Sequence, residues 1–186
     1  MAIKIYIDQG HNPQNPNAGA EGNGLREQDI VFAVGIELAE LLRQNGNYEV
    51  RLSRPTPDTV IGTTNTTSLR QRVADANAWG ADYFISLHTN ASSNPQATGS
   101  EAFAFSQPSA AFSLGEDILE GLDSTTGLRN RGMKVRTNLY VLRKTAMPAV
   151  LVELGFITNP NDAALMNSRP ELFARGIYDG IVQYTI

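Results

Sequence analysis

The chain has 186 residues, 41% hydrophobic and 18% charged, a balance that predicts one folded domain over residues 1–186 and is far from that of a disordered protein. A net charge of −4 without any basic block argues against a nucleic acid partner, and no apolar stretch reaches the ~20 residues of a membrane span. Without cysteine there can be no disulfide, thiolate metal site or cysteine nucleophile.

The start, MAIKIYIDQGH, enters a strand directly (Ile3 to Ile7) and lacks the n-region and long h-region of a signal peptide. This fits a protein not exported by that route, or a mature or excised domain. A loop of turn-formers follows His11. Leu25 to Asn45 then predicts a helix, with Ile30, Val34, Leu38, Leu41 and Leu42 on one face and Gly46 as its C-terminal cap. Tyr48 to Ser53 reads as a strand and Arg54 to Thr67 as a long polar loop. Ser68 can cap a helix to Trp79, ended by Gly80.

Tyr83 to Leu87 is the next strand, ending on His88, and Ser100 to Ser106 alternates as another. Pro108 opens a helix to about Leu122. Leu139 to Arg143 and Ala149 to Val152 read as strands, the latter ending on Glu153, and the end is helical from Pro170. Strands alternating with helices predict a single three-layer α/β/α domain around a mostly parallel, mixed central sheet. Phe103, Phe105 and Phe112 are expected in the core.

Both histidines of the chain, His11 and His88, stand just past apolar strands, and Glu153 closes a third. Side chains past the carboxyl ends of parallel strands converge on one crevice. Two neutral imidazoles and carboxylates meeting there form the ligand set of a catalytic zinc and point to a metal-dependent hydrolase. The HExxH pattern is absent, so ligands must come from separate elements. Glu27, in the first turn of the first helix, is the best third ligand, although an acid there can also simply complement the helix dipole. Glu21 and Asp29 compete with it. Glu153 reads either as a general base or as the partner of a buried arginine, Arg72 or Arg143.

GHNPQNPNAG (10–19), GLREQD (24–29), LRQRVADAN (69–77), SLHTNAS (86–92), LYVLR (139–143) and PAVLVELGFITNPND (148–162) together resemble the zinc-dependent N-acetylmuramoyl-L-alanine amidases of the amidase-3 type. The resemblance runs from residue 3 to the C-terminus and rests on the ordered set rather than on any single motif. It implies that His11, Glu27 and His88 bind Zn2+ and that Glu153 is the catalytic glutamate. It also implies a peptidoglycan (muropeptide) substrate, cleaved between N-acetylmuramic acid and L-alanine at the cell wall or outside the cell. A monomer is expected, with any wall-binding module separate.

Departures lie in the loop after His11 and at 54–67, where substrate preference is open. Asn90 could orient a substrate carbonyl or make a turn bond. Arg129 and Arg131 could meet stem-peptide carboxylates or be solvated loop charges. Arg72 and Asn77 are expected to hold loops through backbone bonds. A metal-free glycosidase built on paired carboxylates and a non-catalytic wall-binding domain are the rival readings.

Overall fold

The computed structural model describes residues 2–186. β1 (Ile3–Gln9), β4 (Tyr48–Leu52), β5 (Tyr83–Asn90) and β8 (Ala149–Phe156) pair in parallel. β6 (Ser100–Ala104) lies antiparallel to β8, and β7 (Asn130–Val135) closes the edge parallel to β6. The six strands run in the order β4-β1-β5-β8-β6-β7, so the sheet is mixed and mostly parallel, as expected. A small hairpin apart from it pairs β2 (Glu21–Gly22) with β3 (Leu25–Arg26).

Helices cover both faces. α1 (Glu27–Asn45), α3 (Ala110–Thr126) and α6 (Pro170–Thr185) bury their apolar stripes against Ile5, Ile7, Ile85, Leu87, Val150 and Val152. α2 (Asn65–Trp79) and α4 (Tyr140–Lys144) pack on Tyr6, Phe84, Phe103 and Leu151. α5 (Pro160–Ser168) follows β8, capped by the Asn159 side chain. Successive strand residues face opposite ways. The parity of Tyr6, Phe84, Leu151 and Phe103 therefore sends Asp8, His88, Glu153 and Glu101 to the α2/α4 face. Among the described residues no helix is long and apolar enough to cross a membrane.

Several boundaries differ from the sequence reading, each for a local reason. The first helix begins at Glu27, because Leu25 and Arg26 pair back onto Glu21 and Gly22. The second starts at Asn65 and not at Ser68. Thr64 and Thr67 exchange side-chain and backbone hydrogen bonds in a capping box, and Ser68 is buried inside the helix. The third starts at Ala110, where the Ser109 hydroxyl accepts from the Phe112 N–H.

Leu139 to Arg143, expected as a strand, is the short helix α4. Its adjacent Val141 and Leu142 are both buried, which a one-faced strand cannot do. β7 escaped the hydrophobic pattern because it is an edge strand with Arg131, Gly132 and Lys134 in it. α5 likewise lies outside the elements that the sequence pattern predicts. Phe105, expected in the core, is 41% exposed, because β6 stops at Ala104.

Candidate metal centre

The site starts from a buried ion pair. Asp8, on β1, meets Arg72, on α2, at 2.6 Å with both side chains almost wholly enclosed. Arg72 also donates to the backbone carbonyls of Gln9 at 2.7 Å and His11 at 2.6 Å. The Ser86 hydroxyl donates to Asp8. Burial alone would raise the Asp8 carboxyl, but Arg72 and Ser86 hold it below the usual carboxylate range. This network fixes the chain where it leaves the sheet. Arg72 thus holds a loop through backbone bonds, and Asn77 does the same to Lys144 and Ala146.

His11 follows in the left-handed region, with φ 67°. A non-glycine residue is uncommon there and is kept only when its surroundings over-determine it. Arg72 on its carbonyl is one such constraint. Gly10 is required for a different reason. A Cβ on it would stand 2.5 Å from Cε1 of His88, so only glycine lets β1 pass the imidazole.

Glu27 is the first residue of α1, presented by the β2–β3 hairpin. Its Oε2 accepts the Ala20 N–H at 2.9 Å and its Oε1 accepts the Thr89 N–H at 2.9 Å. Nε2 of His11 lies 3.1 Å from that same Oε1, and Nδ1 of His88 lies 3.0 Å from it. The two rings sit 4.9 Å apart, nearly perpendicular. Burial would raise the Glu27 carboxyl, yet hydrogen bonds from both imidazoles leave it strongly lowered. Burial would lower His88, but Glu27 and then Glu153 leave it raised.

One ligand atom from each of His11, Glu27 and His88 falls within 4.8 Å of the others, so these three could hold a metal ion. The N···O separations of 3.0 and 3.1 Å are near the edge, roughly 3.3 Å, of a tetrahedron with ~2.0–2.1 Å bonds. Two imidazoles and one carboxylate from separate elements are also the donor types zinc takes when one position stays open. The residues fit such an ion.

Glu153 sits on β8, paired in register with His88 on β5. It does not meet Arg72, which is committed to Asp8, and no arginine is bonded to it among the described residues. Its Oε2 is buried without a hydrogen-bond partner. Burial, opposed by His88 and reinforced by Glu27 and Glu101, pushes its carboxyl up to about 7. A cavity of about 230 Å³ opens at the two histidines, lined by His11, His88, Leu69, Leu139, Tyr140 and Leu151.

The remaining sequence candidates go elsewhere. Asp29 pairs with Arg26 on the surface and Glu21 is exposed. Asn90 and Arg131 both donate to Glu101, and Arg129 is exposed with its carbonyl bonded to the Ser100 N–H. Sequence reasoning missed two acids. Asp8 is disguised within an apolar strand. Glu101 shares the strand parity of Phe103 and lies in register with Glu153, a placement that alternation in SEAFA could have revealed.

A three-layer α/β fold with His, Glu and His at the carboxyl edge of its sheet, and a partnerless glutamate on the next strand, defines a candidate metallohydrolase. The chain belongs to the N-acetylmuramoyl-L-alanine amidase family, hydrolases of an amide bond, whose family model matches residues 5–183. It is 38% identical over 185 residues to the N-acetylmuramoyl-L-alanine amidase CwlM of Bacillus licheniformis, spanning 97% of this chain and 68% of that one. The crystal structure of N-acetylmuramoyl-L-alanine amidase from Clostridium difficile 630 superposes with a TM-score of 0.88 at 31% identity, covering 98% of this chain and 96% of that one. The catalytic domain of CwlV, an N-acetylmuramoyl-L-alanine amidase from Bacillus (Paenibacillus) polymyxa, gives 0.85 at 32%, covering 98% and 97%.

Proposed function

We propose that this chain hydrolyses the amide between the lactyl carbonyl of N-acetylmuramic acid and the first L-alanine of the peptidoglycan stem, with zinc held by His11, Glu27 and His88. The observation that carries this is the convergence of two imidazole nitrogens on one oxygen of Glu27, with Glu153 one strand away. Zinc bound there supplies a Lewis acid and lowers the pKa of a water toward ~7. The chain's own residues do the rest. The Ala20 and Thr89 N–H groups fix the Glu27 carboxylate, and Gly10 leaves room for the His88 ring. His11 and His88 must be neutral to offer a lone pair.

Glu153, ionised, takes the proton of the attacking water at its carboxylate and delivers it to the alanine nitrogen as the C–N bond breaks. A pKa near the working pH suits both halves of that transfer. The work is done at the cell wall, where a surface with net charge −4 would need a separate module to hold an anionic polymer. Purified peptidoglycan digested with and without a chelator tests the reading. The amidase releases free alanine amino groups, stops when chelated and recovers with added zinc. Release of reducing sugar that survives chelation would instead establish a glycosidase, and no release at all a binding domain.

A further inference from the structure

Beyond Glu153 the sheet continues through β6 to β7, and the charge changes sign there. Glu101 faces Glu153 across the β6–β8 pair, and its carboxylate already serves Asn90, Arg131 and Lys134. Arg136, just past β7, lays its guanidinium over the Phe103 ring at 4.8 Å and makes no ion pair among the described residues. Arg131 and Lys134 thus share one carboxylate while Arg136 has none, which leaves an excess of positive charge on the outer strands of a chain whose net charge is −4. Lys134 and Arg136 are both solvent-exposed. The segment after Arg136 leads to Leu139 and Tyr140, which wall the cavity shared with His11 and His88. The basic strip is therefore joined along the chain to one wall of that cavity.

The direction of the substrate follows from the proton transfer. Glu153 must reach the departing nitrogen, so the peptide on the leaving-group side starts at β8 and extends away from the histidines. From β8 to β7 is two strand spacings, roughly 10 Å. An extended peptide covers ~3.3–3.6 Å per residue, so its second or third residue arrives over the cations. We propose that Arg136 and Lys134 form a subsite for a peptide carboxylate on the second or third residue beyond the scissile amide. The stacked guanidinium is preorganised, with its N–H edge free for a paired hydrogen bond. This rests on the amidase reading and adds to it which way the peptide lies and which charge it must carry there.

Two synthetic muramyl tripeptides test it, identical except that the second- and third-residue carboxylates are free in one and carboxamides in the other. The zinc-loaded wild type should favour the free acid by about tenfold in kcat/KM, mostly through KM, as expected for a charge-assisted hydrogen bond. R136Q should erase that preference, K134Q should reduce it and R136K should keep most of it, a pattern that a merely misfolded variant would not give. Equal rates on both substrates, or a preference that R136Q leaves intact, would overturn the subsite alone. Failure of the wild type to cleave either would overturn the amidase reading and the subsite with it.

Discussion

Glu153 should cost the fold stability in return for its position, and E153Q measures that cost. Its carboxyl moves from the ordinary 4.5 to about 7 in the folded chain. Each pKa unit corresponds to ~1.4 kcal/mol, so keeping this group ionised at pH 8 in the metal-free protein opposes folding by roughly 3 kcal/mol. The sign follows from the protons bound. Between pH 4.5 and about 7 the folded chain holds a proton that the unfolded chain has released, so stability from this group falls as pH rises across that window and is flat above it. Glutamine has the same shape and no charge. Urea denaturation of metal-free wild type and E153Q at pH 8 should show the variant more stable by roughly 3 kcal/mol, shrinking to about 1 kcal/mol near pH 5. The same substitution should abolish most turnover. Equal stability at pH 8, or a less stable E153Q, would refute the claim that burial and neighbouring carboxylates strain this group.

R72M removes the partner of a fully buried Asp8 and leaves the Gln9 and His11 carbonyls undonated; chemical denaturation should show a loss of ~3–5 kcal/mol. Asp8 is held low, so its contribution is present above the unfolded carboxylate pKa and is lost as pH falls through the still lower folded value; in a thermal-melt series D8N should melt below wild type near neutrality, with the gap closing as the pH is taken down the acid limb. G10A forces a Cβ to within 2.5 Å of the His88 ring, and competition with a chromogenic chelator should show metal affinity reduced by at least about tenfold. Acid should strip the metal, because His88 is raised in the metal-free state and protons compete for its lone pair; zinc content after dialysis should drop between pH 7 and 5.

What could be read from the residues alone follows their physics. His11, His88 and Glu153 are visible because each stands in or just past an apolar strand, where an ionisable side chain has few bland reasons to be. Glu27, in the first turn of a helix, has the position of an ordinary helix-dipole acid, and sequence position alone does not separate the two roles. The hairpin turns it inward and the Thr89 N–H holds its carboxylate beside both imidazoles, a placement no local pattern encodes. The Asp8–Arg72 pair joins residues 64 apart in sequence, which no local pattern encodes. Edge strand β7 carries charge instead of alternation, so Lys134 and Arg136 gained meaning only when the sheet placed them two strands from Glu153. Helix α4 shows the limit for short apolar runs, whose length cannot distinguish a turn of helix from a strand.

The most direct test of the whole account is zinc stoichiometry and affinity, by elemental analysis and calorimetry, in wild type, H11A, E27A, H88A and E153A. One tightly bound ion is expected in wild type and in E153A, and affinity lower by more than about a hundredfold in the other three. Wild-type zinc binding in H11A and H88A would contradict it.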